Sequence, residues 1–175
     1  YPTEQWLEEY GRALDRSAAL DDLAAGWGVG FDGDVMLVIE ELPLAETTLG
    51  ELPPAALEGL PPDIREGVAD VTLAEAPERF GDTLRPSLPA GVRDLLHQIE
   101  TTVHDGTIHA YVGLEEGSCT GTEVLEDSDA REVGFRVRGS YRTWRRIVDG
   151  RPAASAVLSG DLSVAGNQLR VVQYA

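Results

Sequence analysis

Apolar residues recur at helical spacing at the start of the chain. Trp6, Tyr10, Ala13, Leu14, Ser17 and Leu20 line one side of a predicted helix over 3–24 that Thr3 can cap, while Glu4, Glu8, Arg12, Asp15 and Arg16 take the rest. The period then shortens. Residues 26–31 and 35–39 read as two strands, with Asp32-Gly33 between them as a two-residue hairpin signal. A Pro-rich connector covers about 43–62, with a short helix near 55–60, and alternation returns over 68–73. Pro77 opens a short helix to about 84, and Ser87 or Pro89 opens a longer one to about 104, marked by Val92, Leu95, Leu96, Ile99 and Val103. Alternation over 107–114, 118–125 and 132–138 predicts a three-stranded antiparallel meander, with Phe135 and Val137 facing a core. Ser140 caps a helix through Tyr141, Trp144, Ile147 and Val148, with Arg142, Arg145 and Arg146 on its other side. Gly150 stops it, Pro152 suits the start of a short helix over 153–158, and 161–165 returns to strand before Gly166-Asn167 turns.

The order of elements is weakly doubled: hairpin, strand and helix over 27–84 recur over 107–149. The expected class is α+β, a mostly antiparallel sheet of five or more strands with helices packed on one face. At 175 residues the chain is expected to be one domain, long enough to bury a sizeable core. No run approaches the roughly 20 apolar residues of a membrane helix, and no signal peptide is visible.

Charge changes the picture most. Asp and Glu number 31 against 14 basic residues, all of them Arg, for a net charge of −17. Such a domain repels itself at low ionic strength, and molar salt removes that cost. Acids fall in almost every segment, so a cytoplasmic protein of a salt-in halophile is the expectation, ahead of an acidic patch for one basic partner. Either way the balance argues against nucleic acid or an anionic membrane as the main partner. No feature names a protein partner.

Catalytic and metal motifs are weak. Gly28, Gly30 and Gly33 spell a dinucleotide fingerprint, but it follows a helix and crosses a hairpin turn instead of joining strand to helix, so the glycines are expected to let a bulky group lie against the first strand. His97 and His104 are seven apart, sharing a helix side with Asp94 and Thr101, where a zinc helix prefers four; His109 points away from the apolar face of its strand. Cys119 is the single cysteine, with no disulfide framework and no adjacent base, and Ser159 lacks a nucleophile elbow. The pairs Asp32/Asp34 and Asp127/Asp129 fall short of a calcium loop. No catalytic residue, metal or cofactor is predicted.

The C-terminal third carries one resemblance. Trp144, Ile147, Gly150, Pro152, Ala156, Val157, Gly160, Leu162, Val164, Gly166 and Asn167 fall in an order that resembles the sterol carrier protein 2 (SCP2-like) family, densely from about 107 onward. The segment around Val71 and Phe80 extends it towards the N-terminus. The chain reads as a haloarchaeal-type member. The resemblance implies helices and sheet enclosing an apolar tunnel that takes a lipid, fatty-acyl or isoprenoid chain, without catalysis. It assigns that tunnel to Leu37, Ile39, Ile108, Val112, Phe135, Val137, Tyr141, Trp144, Ile147, Val148, Ala156 and Leu158. Arg138, Arg142, Arg145 and, with them, Arg146 are the candidates for an anionic headgroup. From pattern alone a filled core fits the same residues; small residues such as Gly139, Gly150, Ala153 and Gly160 favour a cavity. The alternative is an accessory module presenting substrate to a partner enzyme.

Overall fold

The computed structural model describes residues 3–17 and 24–166, with the side chains of 55, 56, 82 and 83 left aside. In chain order the elements are α1 (Glu4–Asp15), β1 (Val35–Glu40), α2 (Pro62–Val68), α3 (Ala76–Arg79), α4 (Gly81–Leu84), α5 (Ala90–Thr102), β2 (Ile108–Glu115), β3 (Ser118–Leu125), β4 (Phe135–Ser140), α6 (Tyr141–Val148), α7 (Ala153–Leu158) and β5 (Leu162–Gly166). Short 3₁₀ turns at Leu49–Glu51, Pro54–Leu57 and Arg85–Ser87 join the helices. The packing divides the chain into two compact units, Tyr1–Leu42 with Thr107–Ala175, and Pro43–Gly106.

The first unit is built on one sheet of order β3-β2-β1-β4-β5. It is mixed, not mostly antiparallel: β1 pairs parallel with β4 and antiparallel with β2. The expected meander is overturned with it, because β4 leaves β3 and takes the free edge of β1, with Val35 opposite Phe135 and Leu37 opposite Val137. Alternation tells each strand which face is apolar but not which neighbour it hydrogen-bonds. The expected strand over 26–31 does not form either. Gly28 and Gly30 adopt φ of +81° and +76°, left-handed values that end strand geometry, and Trp27 folds back instead to donate its indole N–H to the Gly33 carbonyl at 2.7 Å.

Thr3 caps α1 as expected, its hydroxyl accepting from the Trp6 amide at 3.2 Å. The described helix ends at Asp15; the rest of the expected helix, Leu20 included, and the expected turn at Asn167 lie outside the described residues. Gly11 seats α1 on β3, where a Cβ would stand 2.9 Å from Thr122 Cγ2 and 3.3 Å from Cys119 Sγ.

The second unit has its own core, in which Leu49, Leu57, Val71, Ala76, Phe80, Val92 and Leu96 are buried together. The expected strand over 68–73 is here a helix end and a turn. Pro62 starts α2, which runs to Val68, and pairing is limited to one antiparallel bridge between Thr48 and Thr72. The expected helix over 77–84 is two short helices broken at Phe80, and α5 starts after Pro89 within the expected bounds.

Candidate functional site

Register decides which side chains of the first unit share a surface, because residues directly opposite across a sheet point to the same face. Val35, Leu37 and Ile39 of β1 stand opposite Val112, Ala110 and Ile108 of β2, and opposite Phe135, Val137 and Gly139 of β4. The row continues to Val124 and Thr122 on β3, and to Val164 and Leu162 on β5. One face is therefore apolar across all five strands. Six of the sequence-assigned residues, Leu37, Ile39, Ile108, Val112, Phe135 and Val137, belong to it.

Burial on this face is uneven. Ile39, Ile108, Ala110, Val112, Phe135 and Leu162 are buried. Val35, Leu37, Val137 and Val164 are only half-buried, and Leu37, Val137 and Val164 are direct cross-strand neighbours in a row that runs from the central strand β1 to the edge strand β5.

Trp27 and Phe31 close one end of the face. Trp27 lies 4.8 Å from the Phe135 ring, and Phe31 stands edge-on to both at 5.5 Å and 6.1 Å. Gly33 leaves room for this, since a Cβ there would come within 2.8 Å of the Trp27 ring. Neither aromatic was among the residues assigned from sequence; the glycines flanking them at 28, 30 and 33 were the available signal. Trp144 marks the other end. It donates to the Val38 carbonyl at 3.4 Å, and its Nε1 lies 3.6 Å from where a Gly139 Cβ would point, which is the apolar side.

The helices spread the remaining assigned residues. Ser140 caps α6, its Oγ accepting from the Thr143 amide at 3.4 Å, and Thr143 is the buried position of that helix. Tyr141, Trp144 and Ile147 are half-buried. Val148 is 52% exposed and Leu158 89% exposed, so these two sit at the surface while Ala156, in the same helix as Leu158, is fully buried. The structure does not gather the four arginines. Arg138 lies on the opposite face of the sheet, bonded to Glu40 at 2.6 Å, whereas Arg142, Arg145 and Arg146 are exposed along α6.

That opposite face is mixed in character. Met36, Val38, Tyr111 and Leu125 cluster with Val133. Arg131 stacks over the Tyr111 ring at 4.2 Å and reaches Glu123, and Arg136 bonds the Ser128 carbonyl. Burial, and then the hydrogen bond to Asp34, push the Tyr111 hydroxyl up to about 12.

Two clefts of the first unit are small. One of about 280 Å³ is lined by Gly28, Phe31, Asp32, Gly33, Asp34, Leu114, Glu115 and Thr120; one of about 110 Å³ is lined by Glu4, Leu7, Glu8, Thr122, Glu123 and Val124. Both carry carboxylates, and neither is an enclosed apolar tunnel. Asp34 in the first cleft is already engaged by the Tyr111 hydroxyl at 2.6 Å and the Leu114 amide at 3.1 Å.

Other chemical candidates have structural occupations. Burial pushes the Cys119 thiol up, and the nearby Asp15 carboxylate adds to this, the reverse of an activated thiolate. Ser159 is held between Arg151 and Asp161 at 2.8 and 2.9 Å. His97 and His104 are exposed, His109 is half-buried in β2, and no group of three metal-ligating side chains occurs among the described residues.

The fold has solved counterparts. The crystal structure of sterol carrier protein 2 matches with a TM-score of 0.55 at 18% identity, over 99% of this chain and 87% of that one. The fold is SCP2-like. The solution structure of a conserved hypothetical protein from Thermus thermophilus, described as possibly a sterol carrier protein, matches with a TM-score of 0.53 at 17% identity, over 98% of this chain and 77% of that one. No family model and no curated protein matches the sequence.

Proposed function

We propose that the protein binds and carries a hydrophobic ligand, a lipid, fatty-acyl or isoprenoid chain, laid in an apolar channel along the five-stranded face and without catalysis. The observation that carries this is the half-buried apolar row Leu37, Val137 and Val164, which opens from the central strand to the sheet edge beside buried Ile39, Ala110, Phe135 and Leu162. A filled sheet–helix core buries the residues of its central strand first; here Leu37 of the central strand is left partly open, in line with Val137 and Val164 towards the β5 edge. Covering it with an alkyl chain would supply about 0.8 kcal/mol per CH₂ removed from water. The fold shared with sterol carrier protein 2 supports the same reading, as does the apolar lining, which offers a ligand headgroup nothing inside and leaves it to the surface.

The test has two parts. Protein purified in molar KCl, denatured and extracted into organic solvent is expected to release one lipid per chain by mass spectrometry. Val137→Trp, which fills the open row from within, is expected to cut binding of a fluorescent long-chain fatty acid at least tenfold while keeping stability in urea within about 1.5 kcal/mol of the parent. An empty extract after incubation with fatty acids and isoprenoid lipids overturns the reading, as does undiminished binding by Val137→Trp.

A further inference from the structure

Many arginines of this chain are spoken for. Among the described residues Arg12, Arg85, Arg131, Arg136, Arg138 and Arg151 each form an ion pair. Arg16, Arg65, Arg79, Arg93, Arg142, Arg145 and Arg146 form none with a described carboxylate, and the last three share one helix in a chain of net charge −17. At about 100° per residue the three fall within roughly 100° of arc on α6, on the side opposite half-buried Trp144. The same corner carries three exposed aliphatic residues. Val148 ends α6 at 52% exposure, and Val157 and Leu158 end α7 at 38% and 89%. The two helix ends are held together: the Arg151 amide bonds the Arg146 carbonyl at 2.8 Å, and the Arg151 guanidinium bonds Ser159 and Asp161 at 2.8 and 2.7 Å, one and three residues past Leu158. Arg146 lies close enough to add its charge to the Arg151 and Ser159 hydrogen bonds that hold the Asp161 carboxyl below its usual range.

We propose that this α6–α7 corner is a docking surface for an anionic lipid bilayer, with Arg142, Arg145 and Arg146 on the headgroup phosphates and Leu158, flanked by Val157 and Val148, entering the acyl boundary. Guanidinium matches phosphate in a bidentate geometry, and cations beside projecting aliphatic side chains are the layout of an interfacial contact. A near-fully exposed leucine on a projecting helix end suits insertion into lipid better than a flat protein interface, which would need a broader apolar patch. The whole-chain charge opposes approach to such a surface at long range. At about 0.1 M salt, however, fields fade over roughly 10 Å, and the groups in contact decide. The proposal rests on the carrier reading, since a carried lipid must leave and enter a bilayer.

The experiment is co-sedimentation of the delipidated protein with vesicles of phosphatidylcholine alone or mixed with phosphatidylglycerol, at about 0.1 M salt. Binding is expected only with phosphatidylglycerol and is expected to weaken as salt rises. Each Arg→Gln change at 142, 145 or 146 should weaken it roughly fivefold, and Leu158→Ser about tenfold or more. The triple Arg→Lys variant, which keeps the charge and loses the bidentate geometry, should bind more weakly than the parent and more tightly than the triple Arg→Gln variant. All four side chains are exposed, and an unchanged circular dichroism spectrum confirms the fold. Equal binding to both vesicles, none to either, or undiminished binding by the triple Arg→Gln variant overturns the proposal. Capture on polyglutamate without vesicle binding also overturns it, in favour of an acidic protein partner. The two readings fail separately: vesicle docking needs no extracted lipid, and an extracted lipid needs no vesicle docking.

Discussion

At Gly134 a single missing Cβ lets the chain enter β4. A methyl group built there would collide with the Asp32 carbonyl oxygen and stand 3.2 Å from the Asp32 Cβ. The φ of Gly134 is not in the left-handed region, so the requirement is one of space and not of backbone freedom. The close approach matters because Phe135, the next residue, anchors Trp27 and Phe31 at the end of the apolar face. Gly134→Ala is therefore expected to lower stability by about 1–3 kcal/mol in urea unfolding, with backbone as the obstructing group and no flexible side chain to yield. An unchanged midpoint would mean that the segment around Asp32 relaxes freely. Positions of this kind are hard to read in a sequence. Gly134 stands alone between Val133 and Phe135, whereas Gly28, Gly30 and Gly33 fall close together and draw the eye as a group.

Among the elements, β1 is fastened at its start by one carboxylate. Asp34 accepts from the Tyr111 hydroxyl and the Leu114 amide of β2, and its own carbonyl accepts from the Phe135 amide of β4 at 3.0 Å. Asp34→Ala leaves the Tyr111 hydroxyl and an amide without their acceptor and is expected to cost about 1–3 kcal/mol at pH 7. The folded state holds the Tyr111 proton up to about 12, against about 10 for a free tyrosine, so this contribution is complete below pH 10 and drains away as pH rises from 10 to 12. Tyrosinate absorbance should show a late-titrating residue that moves to lower pH in Asp34→Ala; no such movement would remove Asp34 from the account. The neighbours of β1 were the least legible part of the fold. Alternation was plain in β2 and β4, but β1 is apolar at each position from Val35 to Ile39; the resemblance, not alternation, grouped Leu37 and Ile39 with Ile108, Val112, Phe135 and Val137, which the register does set on one face. Strand order was not plain, because a parallel partner across a crossover leaves the same alternation as an antiparallel one in a meander. Short helices misled in another way: α6 presents Trp144 inward and Val148 outward, and a six-residue α7 has too few positions for periodicity to separate buried Ala156 from exposed Leu158.

Over the whole molecule, the ordered small and apolar residues of 135–166 were enough to indicate a fold whose solved counterparts share only 17–18% of positions, since spacing of turns and buried residues outlasts residue identity. Charge is the other whole-chain property, and it does not depend on the fold. With 31 acids against 14 arginines, and several of the described arginines already paired, the surplus is spread along the sequence, from α1 to the turn over 126–132, instead of falling in one run. The surplus should make stability rise with salt. Raising KCl from about 0.1 M to about 1 M shortens the screening length from roughly 10 Å to 3 Å and is expected to raise the unfolding midpoint at pH 7 steadily. Screening and general salting-out can be told apart by pH. Near pH 4.4, where net charge vanishes, the same KCl increment should do far less if self-repulsion is the cause. Glu100 and Asp161 are held low by hydrogen bonds from Arg85 and Arg151, so these two contacts give way later than the unpaired carboxylates as pH falls. A midpoint that is flat in KCl at pH 7, or that rises equally at both pH values, would detach the acidic surface from life in high salt.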